Sequence, residues 1–206
     1  VDAARKGALR SLRTGSTYQA LQLAELGLTE CADDAELLDL ASRAAWLTGL
    51  LPDARQLAGR SLERARRAQD LEAESAALRL ISRLDHDISD AMSSDASTDA
   101  VAELVERLDE GLEQGRAFAV LAEMHMLRDD FEGTQVWADR AIELAERMGK
   151  DHFYQYIHSF GFGQRSGIEL PAETRGLLKP PKRWNPTTIG SIPMGQEIGV
   201  TPVQVA

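Results

Sequence analysis

Residues 15–28 read GSTYQALQLAELGL, and 34 residues later residues 49–62 read GLLPDARQLAGRSL. Each stretch opens with glycine, places an alanine five residues on, and carries a small residue followed by leucine twelve residues on. Glycine permits a tight turn between two helices, and small side chains let antiparallel helices approach closely. A 34-residue period of this kind predicts stacked helix pairs.

A third copy is centred on Asp129, with Thr134 at the first small position and Ala141-Ile142 at the second. Gly49 and Asp129 are 80 residues apart, twelve more than two regular periods. We expect residues 89–99, SDAMSSDASTD, to supply the excess as an extended loop between helical patterns at 71–84 and 100–114.

Residues 8–150 resemble the irregular tetratricopeptide arrays of LuxR-type bacterial regulators. The resemblance implies a concave helical surface that binds a protein, a peptide or a small ligand, and it carries no catalytic residue over. A plain helical bundle is the alternative, because such patterns are permissive.

The composition changes near residue 151. Residues 1–150 hold 29 of the 33 acidic side chains, and six of the seven prolines lie between Pro171 and Pro202. We therefore predict two domains, 1–150 and 151–206. The predicted fold is mainly α: an antiparallel helix-pair solenoid, then a Gly/Pro-rich segment with short helices at Phe153–Phe160 and from Thr201, and otherwise irregular or extended structure.

The net charge of −10 disfavours binding to nucleic acid through a basic face. The single cysteine, Cys31, excludes an internal disulfide and a four-cysteine zinc site. No apolar run is long enough to span a membrane. The first residue is valine, so the sequence is expected to be an excerpt.

A second set of motifs begins after His152. Phe160, Gly161, Phe162 and Gly163 follow an aromatic helix, and a Gly-Ile-Glu-Leu-Pro segment runs from Gly167 to Pro171. A tryptophan-led stretch starts at Trp184, and Gly195, Gln196, Thr201 and Pro202 form Gly-Gln-x-x-x-Val-Thr-Pro. Residues 152–206 thereby resemble the part of a class B penicillin-binding protein transpeptidase domain between its second and third active-site motifs. The resemblance implies a structural role beside a catalytic cleft.

The catalytic motifs of that family are Ser-x-x-Lys, Ser-x-Asn and Lys-Thr-Gly. None of the four lysines lies three residues after a serine or directly before Thr-Gly; they are Lys6, Lys150, Lys179 and Lys182. The single asparagine, Asn185, has Arg183 two residues before it, so Ser-x-Asn is absent as well. We therefore predict no catalytic residue, no cofactor and no enzymatic activity for this chain.

The junction itself fits both resemblances, because residues 144–151, LAERMGKD, suit the end of a helical repeat and the start of the aromatic helix. A natural fusion and an engineered chimera both remain open.

Other candidate sites have simpler interpretations. Asp85-His86-Asp87 is read as a solvated helix end and His125 as a partly buried packing residue, neither of them a metal ligand. His152 and His158 lie on different helix faces, and the glycines at 161, 163 and 167 miss the dinucleotide pattern. An acidic run is expected to form one solvated helix face; it comprises Glu103, Glu106, Asp109, Glu110 and Glu113. The alternative interpretation is a surface that binds a basic peptide.

The leading hypothesis is a non-catalytic interaction module with a protein or peptide in its helical groove. Two alternatives stay open: a fragment of a peptidoglycan transpeptidase, and the sensor segment of a transcription regulator. The first alternative implies a location outside the cytoplasmic membrane, whereas the array suggests the cytoplasm.

Overall fold

Short connections join a succession of α-helices, which confirms the mainly α prediction. The computed structural model describes residues 1–88, 91–159, 161–165, 174–185, 188, 192 and 197–200. The helices in these ranges are α1 (Asp2–Arg13), α2 (Thr17–Glu30), α3 (Ala35–Leu47), α4 (Leu51–Ala68), α5 (Leu71–Asp87), α6 (Ala91–Val105), α7 (Leu112–Leu127), α8 (Phe131–Met148) and α9 (Lys150–Ser159). Beyond them, β1 (Leu177–Leu178) and β2 (Ile198–Gly199) pair antiparallel, with Leu177 opposite Gly199.

The three predicted turn residues share one backbone conformation. Gly15, Gly49 and Asp129 have φ of 75°, 80° and 58°. Aspartate tolerates this left-handed region better than most residues do, because its short side chain can bond locally. The third turn therefore keeps its shape without glycine.

Successive helices pack side by side along the array, and alanine and leucine supply nearly all of the buried core of its first part. Ala20 and Ala54, at the first small position of their copies, are fully buried. Gly27, at the second, lies against Ala4 of α1 and Leu37 of α3. The small residues do what their spacing predicts, since they let neighbouring helices approach closely.

Polar contacts also follow the 34-residue period. Three ion pairs join residues 34 apart in sequence, namely Asp33–Arg67, Arg79–Glu113 and Glu106–Arg140. Arg128 likewise donates to the carbonyl oxygen of Ser94, again 34 residues away. Residues 34 apart in sequence are therefore in contact at four places in the described part of the chain.

The extended loop predicted for residues 89–99 is wrong, because helix α6 begins at Ala91. One of its hydroxyl groups joins neighbouring helices: Thr98 is buried, pairs with Ser82 of α5 at 2.7 Å, and accepts from Arg128 at 2.8 Å. Ser, Thr and Asp disfavour an isolated helix by competing for backbone hydrogen bonds, but here their side chains find partners. The additional residues lie instead in longer helices: α4 and α5 have 18 and 17 residues, against 14 and 13 in α2 and α3.

The described tail residues dock on the end of the array. Phe153 and Ile157 of α9 are buried together with Ala145 of α8 and with Ile192. Leu178, Trp184 and Ile198 pack against this cluster. The tail therefore borrows its core from α8 and α9.

Candidate functional site

A groove of about 720 Å³ opens on the face of the array formed by α3, α5 and α7. We call it the central groove. Its walls include α8, and its far end is closed by α9 and by described tail residues. The polar and aromatic side chains that line it are Asp39, Arg43, Trp46, Arg79, Arg83, Arg116, Phe153, Tyr156 and Phe162.

Helical periodicity places these side chains on one face. Arg79 and Arg83 are four residues apart on α5, as are Asp39 and Arg43 on α3. Residues at this spacing lie on the same side of a helix. The groove is therefore lined by arginines in a chain whose net charge is −10.

Two of the groove arginines, Arg79 and Arg116, belong to an ion-pair cluster between α5 and α7. Arg79 donates from Nε to Oε1 of Glu113 at 2.9 Å, and Nη1 of Arg116 lies 3.5 Å from the other oxygen, Oε2. The side chains of Arg79 and Glu113 are 14% and 10% exposed, so this pair is largely withdrawn from water. Burial lowers the pKa of Arg79, while Glu113 opposes that effect.

Two arginine–aromatic pairs flank the cluster. The Cζ atom of Arg83 lies 5.9 Å from the ring centroid of Trp46, and that of Arg116 lies 5.8 Å from the ring centroid of Tyr156. The Trp46 indole also donates to Asp87 at 2.8 Å. Such contacts hold a guanidinium against a flat apolar surface, so each pair offers a ligand both charge and contact area.

The end wall of the groove is apolar. Phe153 packs on Tyr156 and on Trp184, with ring centroids 6.4 and 6.3 Å apart. Ile157, Ile192 and Ile198 complete the wall. Burial raises the pKa of the Tyr156 hydroxyl, and the positive charge of Arg116 opposes that effect.

The structure describes four of the family-motif residues. Gly161 and Gly163 follow the end of α9 with φ of 85° and 76°, which suits the helix C-terminal role expected of them. Phe162 and Trp184 belong to or pack against the end-wall cluster. Phe160, Gly167, Pro171, Gly195, Gln196, Thr201 and Pro202 lie outside the described residues.

The solvated interpretation of Asp85-His86-Asp87 holds for the exposed Asp87 but is wrong for Asp85. Asp85 is 4% exposed and accepts from Nε of Arg55 at 2.6 Å, and Asp87 accepts from Trp46. Asp85 lies on the side of α5 that packs against α4, so its carboxylate is buried beside the guanidinium of Arg55 rather than exposed to water. Helix α5 also ends only at Asp87, beyond the pattern that predicted it.

The acidic run does not lie on one helix, which corrects the prediction of a single helix face, although four of its five residues are exposed as expected. Glu103 lies on α6, Glu106, Asp109 and Glu110 follow it, and Glu113 lies on α7. Glu106 and Glu110 form ion pairs with Arg140 and Arg147. Glu113 is buried against Arg79 of α5, so three of these carboxylates pair with arginines of other helices.

The histidines have local roles. His125 is partly buried, as predicted, and its Nδ1 lies 2.7 Å from Oδ2 of Asp130, which caps the N-terminus of α8. His158 stacks on Tyr154 and contacts Gln164, whereas His152 is exposed. Within the described ranges, no group of three or more His, Cys, Asp or Glu side chains could hold a metal ion.

Comparison with known proteins shows what the C-terminal part of the chain is similar to. Residues 127–206 match the family model of the penicillin binding protein transpeptidase domain. The match starts at the last residue of α7 and therefore includes α8 as well as the motifs. It begins 24 residues before the boundary predicted at residue 151, and the two-domain division remains a prediction.

Individual relatives agree with this match. The chain is 44% identical over 63 residues to stage V sporulation protein D of Bacillus subtilis, and the aligned region covers 31% of this chain and 10% of the relative. It is 40% identical over 65 residues to penicillin-binding protein PbpB of Mycolicibacterium smegmatis, with 32% and 10% covered. It is 36% identical over 72 residues to peptidoglycan D,D-transpeptidase MrdA of Acinetobacter baumannii, with 31% and 11% covered. The chain thus spans about a tenth of the length of each relative.

Of the helices in the described part of the chain, none is both long and apolar enough to cross a membrane. The groove residues themselves were missed at the sequence level. Their arginines do repeat at helical spacing, but only the register between α3, α5 and α7 shows that they share one cavity.

Proposed function

We propose that this chain is a non-catalytic binding component related to peptidoglycan transpeptidases. In this proposal the C-terminal segment is a structural piece of a transpeptidase domain whose catalytic motifs lie outside the chain. The helix array supplies a tetratricopeptide-like surface for a peptide. The similarity of residues 127–206 to transpeptidases supports the first part.

One observation carries the second part: both segments line the same groove. Arg79, Arg83 and Arg116 come from the array, whereas Phe153 and Tyr156 come from the transpeptidase-like segment. A concave site of about 720 Å³ with convergent polar groups and an apolar wall has the usual size and character of a ligand site. The groove is therefore the part of the chain best suited to binding.

Two experiments test the proposal. Incubation with a fluorescent penicillin should give no covalent adduct by intact-mass measurement, because no serine has a lysine three residues on. A stoichiometric, heat-stable adduct would overturn the non-catalytic assignment.

For binding, a soluble pool of random hexapeptides is passed over the immobilised chain, and retained peptides are read by mass spectrometry. Ala119 is an exposed groove residue on α7, and Ala119→Gln should obstruct the groove and release those peptides. The matched control is Ala96→Gln, at an exposed position of α6 that does not line the groove. No retention, or equal retention by both variants, argues against the groove as the binding site.

A further inference from the structure

Exposed apolar side chains recur along one edge of the array, at the turns that join α3 to α4, α5 to α6 and α7 to α8. Single exposed apolar residues are ordinary on a protein surface, but here each of three successive turns carries two of them. Met92 and Phe131, at the starts of α6 and α8, are 82% and 74% exposed. We call the whole set the turn ridge; it comprises Leu47, Leu50, Ile88, Met92, Leu127 and Phe131.

Hydrogen bonds hold the three turns next to one another. The indole of Trp46, near the end of α3, donates at 2.8 Å to Asp87, the last residue of α5. Arg128, directly after α7, donates at 2.8 Å to the carbonyl oxygen of Ser94 in the first turn of α6. The turn ridge is therefore continuous along the edge, and none of its residues lines the central groove.

The charge beside the turn ridge is almost entirely negative. Within residues 44–54, 84–88, 91–95 and 124–134, the only arginine or lysine is Arg128, and it pairs with Asp95. Asp53, Asp129 and Glu132 form no ion pair within the described part of the chain. The exposed carboxylates of these turns are Asp53, Asp87, Asp95, Asp129, Asp130 and Glu132.

This charge discriminates between the surfaces that can cover an apolar edge. The carboxylates would repel an anionic lipid surface, and a second copy of the chain would bring the same carboxylates against each other. A partner that carries lysine or arginine beside its apolar residues complements both features. We propose that the turn ridge binds a cationic amphipathic helix of another protein.

The spacing of the turns suits a helical partner. Packed helices lie about 8–10 Å apart, and α3 contacts α5 as α5 contacts α7, so successive turns repeat at about that distance. An α-helix rises about 1.5 Å per residue, so about two of its turns cover the same distance. A helix of about 14 residues or more, with apolar residues at three-and-four spacing, can therefore contact all three turns.

Fluorescence polarisation on the full chain tests the proposal with three fluorescein-labelled peptides of about 14 residues each. The first contains leucine at three-and-four spacing and lysine elsewhere, the second has glutamate in place of lysine, and the third has the composition of the first in an order without a helical face. Burying one apolar side chain changes affinity by about tenfold or more, so the first should bind at least about tenfold more tightly than the other two. Equal affinity for the first peptide and either of the others overturns the proposal.

Substitution of one apolar residue locates the contact. Phe131→Ser should weaken binding of the Leu-Lys peptide by about tenfold. The matched control is Leu26→Ser, at a 59%-exposed leucine of α2 away from the turns, which should leave the affinity unchanged. Equal affinities of the two variants would remove the turn ridge as the binding surface.

Substitution of two carboxylates separates a local charge contact from the net charge of the chain. Asp129→Asn combined with Glu132→Gln should weaken the Leu-Lys peptide by about threefold or more, and asparagine tolerates the positive φ of Asp129. The control is Asp99→Asn combined with Glu103→Gln, which removes the same charge from exposed positions of α6. If both double variants weaken binding equally, net charge alone attracts the peptide and the proposal fails.

The other occupants of the turn ridge are tested in the same series. Binding to phosphatidylglycerol vesicles that Phe131→Ser abolishes would assign the edge to lipid, and a dimer that Phe131→Ser dissociates would assign it to a second copy; either result overturns the proposal. Ala119→Gln, which obstructs the central groove, should not change the affinity for the Leu-Lys peptide. If it does, the peptide binds in the groove, and this inference fails while the groove keeps its proposed function.

Discussion

Replacing Gly27 by alanine tests the close packing on which the helix array depends. Gly27 is buried in α2, between α1 and α3. A Cβ atom at this position would lie 2.6 Å from Cδ1 of Leu37 and 2.9 Å from the Cβ of Ala4. Leu37 is fully buried, and the Cβ of Ala4 is fixed to its backbone, so neither can move without shifting a helix.

Two opposing effects set the size of the expected change in the free energy of unfolding. Alanine gains about 1 kcal/mol over glycine in a helix interior. Overpacking a tight core costs about 1–3 kcal/mol, and two contacts below 3 Å place this site toward the upper end. We therefore expect a net loss of about 1–2 kcal/mol, which lowers the urea midpoint by about 0.5–1 M at a slope near 2 kcal/mol/M.

Gly59→Ala is the matched control. Gly59 lies in the interior of α4, and its added Cβ would meet only Nη1 of Arg55 at 3.7 Å. Helix propensity should then dominate and raise the free energy of unfolding by about 0.5–1 kcal/mol. Urea unfolding followed by circular dichroism at 222 nm measures both variants; if Gly27→Ala is as stable as Gly59→Ala, the close approach of α1, α2 and α3 is refuted.

Three further predictions concern charge and local stability. Arg5 and the backbone N–H of Leu37 hold the pKa of Asp34 below its usual value. The stability that Asp34 contributes should therefore be complete above about pH 4 and lost as the pH falls through the lowered pKa. Acid unfolding of Asp34→Asn should lack this loss, and an unchanged acid-unfolding curve would contradict the prediction. Glu113→Ala should cost about 3–5 kcal/mol in urea unfolding, because it leaves Arg79 buried without its carboxylate; a loss below 1 kcal/mol would show that water reaches the pair. Native-state hydrogen exchange should be slowest in α2 to α5 and fast in residues 174–185 and 197–200, where the only described strand ladder is two residues long; equally slow tail amides would indicate an integrated domain.

The turns of the array could be predicted from the sequence because each depends on the conformation of a single residue. Gly15 and Gly49 mark positions of positive φ, and Asp129 marks a third because its side chain tolerates the same conformation. Helix α9 was also expected, from its aromatic spacing and the glycines after it. These features depend on residues within one or two turns of each other.

Features that depend on tertiary packing could not be predicted from the sequence. The serines and threonines of α6 suggested a loop, yet Thr98 is buried against Ser82 and Arg128. Asp85 looked like part of a solvated end, and its partner Arg55 lies 30 residues away. The 34-residue spacing of Arg79 and Glu113 is a sequence signal for their ion pair, because it equals the spacing of Gly15 and Gly49.

The central claim is that the helix array and the transpeptidase-like segment together form one binding groove. Hydrogen exchange read by mass spectrometry, with and without a hexapeptide retained from the random pool, tests it most directly. We predict that the ligand slows exchange in α5, in α7 and in α9 together, since Arg79, Arg116 and Tyr156 meet in one cavity. Slowed exchange confined to the array, with α9 unchanged, would contradict the claim.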